Sequence, residues 1–267
     1  MGKTKIDYAT KVWNPVEGCA PCSPGCDNCW ARRQNYTWAC RRDKIGDLAR
    51  RVKDWDGSLA ETGRWNEPFS WKRPQRVFAC SRTDIGLFYP DAWFNLCLTM
   101  RNCPNHRFLL LTKRQYGVYH LYHSMSNQIA FPANAWLGVT VCNQEEAAQK
   151  IPSLLTLPNK TQHWVSVEPM LDYVDLSPWL HPAKIGWVVC GGESAPRDRV
   201  RPIHVEWVHD LMEQCQAAGV PFYFKQWGNL THTSGGDVYL AKNHFIPTLF
   251  SKEYRELPDA LKLEGEA

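Results

Sequence analysis

The chain has 267 residues, 44% of them hydrophobic and 22% charged, a balance that excludes a disordered chain and allows a sizeable core in one large domain or two small ones. No stretch of about 18 apolar residues occurs, which excludes a membrane-spanning helix. The net charge of +4 is mild and compatible with an anionic partner, while 11 cysteines behind an opening without an apolar stretch (MGKTKIDYATKVWNP) predict a reducing, cytoplasmic setting in which clustered thiols bind metal or do chemistry.

In chain order, Tyr8–Val16 predicts a first strand, limited by Pro15. A cysteine-rich loop, Gly18–Trp30, follows, and then a helical pattern over Trp30–Val52. The stretch 54–74 (DWDGSLAETGRWNEPFSWKRP) breaks the rhythm and reads as an insertion. Beyond it, short β-branched or aromatic runs predict buried strands at Arg76–Cys80, Arg107–Thr112, Ala135–Val141, His163–Val167, Ile185–Cys190 and Pro221–Phe224. Helical patterns at Pro90–Arg101, Gln144–Leu155 and His204–Ala218 lie between them, the last with Gly219 as a stop. Strands alternating with helices imply a parallel sheet. The expected fold is therefore α/β, a partial or open (β/α) barrel of about six to seven parallel strands over residues 1–228. An irregular extension over 229–267 and the 54–74 insertion are candidate lids or clamps.

The loop GCAPCSPGCDNCW carries Cys19, Cys22, Cys26 and Cys29 within eleven positions, and Pro21, Pro24 and Gly25 keep it out of helix and strand. Cys22, Cys26 and Cys29 form C-x3-C-x2-C, and Cys19, Cys26 and Cys29 form C-x6-C-x2-C. Either triplet offers three thiolates to a [4Fe–4S] cluster and leaves one iron open. Two C-x2-C pairs would also suit zinc, but zinc ribbons separate such pairs by about 15–20 residues, and here three residues intervene. Free thiols are the third reading. The position after a first strand favours chemistry, because (β/α) barrels carry their sites at the C-terminal ends of strands. The other seven cysteines, Cys40 among them, read as buried small hydrophobes.

Together with WNPVEGC (Trp13–Cys19), SPGCDNCWA (Ser23–Ala31), LTKR (Leu111–Arg114), WLGVTV (Trp136–Val141), SVEPML (Ser166–Leu171), GGES (Gly191–Ser194) and FKQWG (Phe224–Gly228), this loop resembles the radical S-adenosylmethionine superfamily, and within it a phage-associated family linked to thymine hypermodification. The resemblance implies that the open iron binds S-adenosylmethionine, whose one-electron cleavage gives methionine and a 5′-deoxyadenosyl radical that takes a hydrogen atom from the substrate. It implies a rearrangement of isomerase or mutase type on an aminoacylated 5-hydroxymethyl pyrimidine in phage or host DNA. It further implies a reductase or flavodoxin-type electron donor and action in the cytoplasm of an infected bacterium.

Strand ends supply the remaining candidates. Ser81 and Asp84, Thr112 and Lys113, Thr140, Ser166 and Glu168, and Gly191, Gly192 and Glu193 are expected to bind the cofactor, with Glu168 and Lys225 as catalytic groups. Cys19, Cys26 and Cys29 are the expected ligands, Cys22 being the rival of Cys19. Basic residues interleaved with aromatics, as in Arg32, Arg33, Tyr36, Trp38, Arg41 and Arg42, suit nucleic acid or an ordinary solvated helix face. Two other readings stay open: a non-catalytic zinc- or cluster-stabilised nucleic-acid-binding protein, and a radical enzyme acting on a peptide or metabolite.

Overall fold

In the computed structural model the described residues are 6–157, 163–229 and 254–264. The chain divides into two compact units, one of residues 1–22, 30–138 and 260–267, the other of residues 23–29 and 139–259.

In the first unit β1 (Lys11–Trp13) is short because Pro15 cannot donate to a ladder. The chain then turns into β2 (Val16–Glu17), which pairs antiparallel with β3 (Ala60–Glu61). The 54–74 segment is thus tied to the start of the chain, and Trp13 Nε1 also donates to Arg64 O at 2.8 Å. The helical stretch expected over Trp30–Val52 is two helices, α1 (Trp30–Ala39) and α2 (Lys44–Arg51). Asp43 makes the break by accepting from Gly46 N at 2.9 Å as the N-cap of α2. Gly46 is required there, since a Cβ would stand 2.2 Å from Arg41 O. The strand β4 (Arg76–Ala79) lies parallel to β1, and β5 (Arg107–Thr112) lies parallel to β4. Between them runs α3 (Pro90–Arg101), whose Pro90 sits in the first turn where its missing N–H costs nothing. A further helix, α4 (Gln115–Met125), was not foreseen from the pattern. Trp13, Trp93, Phe108 and Leu109 are fully buried in this unit.

Strand β6 (Ala135–Thr140) begins in the first unit and ends in the second. The second unit continues with α5 (Gln144–Leu155), β7 (His163–Val167), β8 (Trp187–Cys190), α6 (Val205–Ala218) and β9 (Phe222–Phe224). The pairs β7–β8 and β8–β9 are parallel. Trp164 stacks on Trp187 at 5.4 Å, and Tyr223 meets Trp187 edge-on at 6.0 Å, so an aromatic layer floors this part of the sheet. Helix α6 stops at Gly219, whose φ of 67° is the left-handed value glycine tolerates.

The sheet order is β1-β4-β5-β6-β7-β8-β9, with β1 and β9 at its ends. This is the expected α/β class, an open, partial barrel of seven strands. Among the described residues no helix is long and apolar enough to cross a membrane. Cys80, Cys97, Cys103, Cys142, Cys190 and Cys215 are buried as expected, but Cys40 is exposed at the end of α1. Most of the 229–267 extension, including its expected role as a lid, lies outside the described residues.

Candidate functional site

In the first unit one carboxylate, Asp84, joins the loop after β4 to the end of β5. Asp84 accepts from Gly86 N at 2.9 Å, from Thr112 Oγ1 at 2.5 Å and from Lys113 N at 2.9 Å. It also pairs with Arg114 at 3.7 Å. The guanidinium of Arg114 reaches the cysteine loop, donating to Ala20 O at 2.8 Å and to Cys22 Sγ at 2.8 Å. Cys22 is exposed, and Cys19 is half-buried. Ser81 Oγ donates to Asn14 Oδ1 at 3.1 Å. Of the expected cofactor residues here, Ser81, Asp84 and Thr112 are thus engaged in scaffolding, and Asp84 acts as the hub that carries Arg114 towards Cys22.

In the second unit the segment Ser23–Cys29, which carries Cys26 and Cys29, is held at two points. Ser23 caps a 3-10 turn over Pro24–Cys26 by accepting from Gly25 N at 3.2 Å, and its Oγ lies 3.7 Å from Cys142 Sγ. Cys142 N in turn donates to Glu146 Oε2 at 2.9 Å, and Lys150 pairs with Glu146 at 2.7 Å. Burial pushes the Glu146 carboxyl up. Hydrogen bonds from Lys150 and Ser23, the Lys150 charge and the Cys142 N–H outweigh that effect and hold it below the ordinary value.

The second point is Glu193. It is 4% exposed, yet its carboxylate accepts from Asn28 Nδ2 at 3.0 Å, from Arg201 N at 2.9 Å and from Arg201 Nε at 3.2 Å, with a further bond from Arg201 Nη2. Arg201 continues to Asp27 Oδ2 at 3.1 Å and Pro24 O at 2.8 Å. Burial raises the Glu193 carboxyl, but the Arg201 side-chain and backbone bonds, the Asn28 amide and the Arg201 charge leave it below the ordinary value. Sequence reasoning placed Glu193 against the cofactor. In the structure its carboxylate is taken up by a latch on Asp27 and Asn28, the residues between Cys26 and Cys29. Asn28 and Arg201 were missed as partners because nothing local in the sequence joins residues 28, 193 and 201.

The strand ends of the same unit form a second polar group. Val141 N donates to Ser166 O at 3.0 Å, a parallel register that sets Thr140 beside Ser166, and Ser166 in turn pairs with Val189. Thr140 and Ser166 are 1% and 0% exposed, and neither hydroxyl has a hydrogen-bond partner among the described residues. A buried hydroxyl left unpaired costs about 1–3 kcal/mol, so two in register point to a polar ligand. One step along the strands Glu168 forms an ion pair with Lys225, across Gly191, where a Cβ would sit 3.6 Å from the Glu168 carboxyl carbon. The two expected catalytic residues are therefore brought together.

Gly192 serves packing, because its Cβ would stand 2.3 Å from Trp227 O. Gly192→Ala is expected to cost about 1–3 kcal/mol through this backbone clash, read as a lower urea midpoint at unchanged slope. Gly191 has no such clash, and Gly191→Ala is the control.

The donor sets suit the expected groups. Thiols in a turn-rich loop are of a kind that can bind iron or zinc, and paired buried hydroxyls beside an ion pair are of a kind that can hold a ligand with hydroxyl, ammonium and carboxylate groups. A model of a protein family described as "Protein of unknown function (DUF5131)" matches residues 3–258. No curated protein and no solved structure matches. The match corrects the expected membership of the radical S-adenosylmethionine superfamily and its phage-associated branch: the matching family is an uncharacterised one, and no family of that superfamily matches.

Proposed function

The chain belongs to this family of unknown function, and on that premise we propose that it is an enzyme that uses a [4Fe–4S] cluster and S-adenosylmethionine to modify a base in DNA. The observation that carries the reading is the pair of hydroxyls, Thr140 and Ser166, buried and without a partner among the described residues in the same compact unit that locks Cys26 and Cys29 in place. The cofactor pair, when bound, supplies one-electron cleavage of a sulfonium and a carbon radical able to take an unactivated hydrogen atom.

The chain's own residues do the rest. On the C-x6-C-x2-C spacing of the sequence, Cys19, Cys26 and Cys29 would hold the cluster as thiolates. Cys22 stays outside it, because its sulfur accepts from Arg114 in an exposed position. Thr140 and Ser166 hydrogen-bond the hydroxyl and amino-acid groups of S-adenosylmethionine. Glu168 and Lys225 present one carboxylate and one ammonium side by side, a pair that orients a zwitterionic group and can move a proton between substrate and side chain. An aminoacyl group on a 5-hydroxymethyl pyrimidine of phage DNA fits such a pair, and an isomerase or mutase outcome suits carbons that carry no acidic proton. A base within a duplex must be flipped out to reach a buried site. The reaction also needs a reductase or flavodoxin-type donor and a reducing compartment, the cytoplasm of an infected bacterium.

The test is incubation of the anaerobically reconstituted protein with dithionite and S-adenosylmethionine. Methionine and 5′-deoxyadenosine in equal amounts are expected. An iron-replete protein that forms neither overturns the proposal. A colourless protein with one zinc and no sulfide replaces it with the non-catalytic, nucleic-acid-binding reading.

A further inference from the structure

We infer that the outer face of the α1–α2 hairpin docks on the phosphate backbone of duplex DNA. The inference takes only its choice of DNA from the proposed function; the surface itself is read from charge and geometry. Residues 30–53 hold eight arginines and lysines against two acids, Asp43 and Asp47, a surplus of six in a chain whose whole net charge is +4. The remainder of the chain is therefore slightly acidic, and the cationic character of the protein is concentrated on this hairpin.

Both acids are occupied locally, Asp43 in capping α2 and Asp47 in pairing with Arg50 at 2.5 Å. Arg32, Arg41, Arg42, Lys44, Arg51 and Lys53 are exposed. Arginine predominates, and its planar fork matches phosphate oxygens two at a time. Tyr36, 70% exposed, and Trp30, 42% exposed, add flat rings among the cations.

The inner side of the hairpin is fixed, so the face is preorganised. Buried Asn35 donates to Ala49 O at 3.3 Å and Val52 O at 3.1 Å, tying α1 to the end of α2. Arg82 donates to Asn35 Oδ1 at 3.2 Å and to Glu17 at 2.9 Å, and its guanidinium lies 4.1 Å from the Trp38 ring centroid. Only side chains need ordering on binding, which lowers the entropic cost. The ten-residue α1 is about 15 Å long, a length that spans roughly four phosphates of one strand at 3.4 Å of axis each.

An anionic membrane is the competing polyanion. An interfacial helix needs a continuous apolar face on its exposed side. Here Ile45, 38% exposed, is the sole exposed large aliphatic residue of the hairpin.

The experiment measures binding of the full chain to a fluorescent 20-base-pair duplex by anisotropy, from 50 to 200 mM salt. The comparison is with a variant carrying Arg41→Gln, Arg42→Gln, Arg51→Gln and Lys53→Gln. The variant is expected to bind at least about 10-fold more weakly, with a log–log salt slope shallower by about 3–4, at roughly 0.9 per lost phosphate contact. Its thermal midpoint and its 5′-deoxyadenosine formation without DNA should match those of the unaltered chain. Equal affinity and slope for the two proteins overturn the inference. So does binding to vesicles with 20% anionic lipid that is stronger than binding to the duplex. Loss of DNA binding in a protein that forms no 5′-deoxyadenosine leaves the docking face standing and removes the proposed chemistry alone.

Discussion

Replacing Cys26 or Cys29 by serine is expected to strip iron and sulfide from the reconstituted protein and to lower 5′-deoxyadenosine formation by more than about 100-fold. Loss of an outer-shell partner alone typically costs 10–100-fold in metal affinity or activity, and these two thiols are proposed as direct ligands. Cys19→Ser should behave alike. Cys22→Ser should keep both iron and activity, because the Cys22 sulfur is exposed and accepts from Arg114 at 2.8 Å, itself anchored by Asp84. The four variants, compared by iron and sulfide content and by product yield, separate the two candidate triplets. Serine is close in size to cysteine, and Cys19, Cys26 and Cys29 are only half-buried, so each variant should fold.

The second large effect is expected at the latch. Arg201→Met removes two bonds to the Glu193 carboxylate and leaves that 4%-exposed group short of its counter-charge. Breaking a buried pair in this way costs about 3–5 kcal/mol. The lower end, about 3 kcal/mol, is expected here, because Arg201 N and the Asn28 amide still donate and the Arg201 side chain is 33% exposed. The thermal midpoint should fall by about 6–10 °C.

Glu193 also sets a pH dependence. Its folded carboxyl titrates below the ordinary value, so its stabilising contribution is fully present above the unfolded value of about 4.3 and disappears as pH falls through the folded one. Glu193→Gln should therefore be less stable at pH 7 and lose less on acidification from pH 5 to pH 3, as measured by urea unfolding. Since Glu193 is assigned to position the loop, the same variant should hold iron more weakly and shift the cluster potential. A change in stability with unaltered iron retention and potential would assign the latch to folding alone.

Much of the fold was legible in the sequence. The runs at Arg107–Thr112 and His163–Val167 are strands over those same residues, since short apolar runs buried along almost their whole length suit the interior of a parallel sheet. The helix Gln115–Met125 was not legible, because QYGVYHLYHSM has no capping side chain, and its Gly117 packs where a Cβ would stand 2.1 Å from Gly86 O. The break between α1 and α2 hid in Asp43 and Gly46, whose local bond competes with helix continuation.

At the candidate site, strand-end residues were legible by position, so Thr140, Ser166, Glu168 and Lys225 could be named in advance. Roles set by distant partners were not. Glu193 looked like a ligand contact until Arg201, eight residues on, and Asn28, 165 residues away, were seen to take its oxygens. The same holds for Glu146 and Lys150, a buried pair under Cys142 that reads in sequence as an ordinary surface i, i+4 pair. Family membership was misjudged for another reason: short motifs such as GGES and SVEPML suit many strand ends of an α/β sheet, and only a match along most of the chain decides between families.

Electron paramagnetic resonance of the dithionite-reduced, reconstituted protein, recorded before and after adding S-adenosylmethionine, tests the central claim most directly. The account predicts the signal of a reduced [4Fe–4S] cluster whose line shape changes on addition, because three cysteines would leave one iron open to the cofactor. A silent spectrum from a protein free of iron and sulfide, or a cluster signal indifferent to the cofactor, would contradict it.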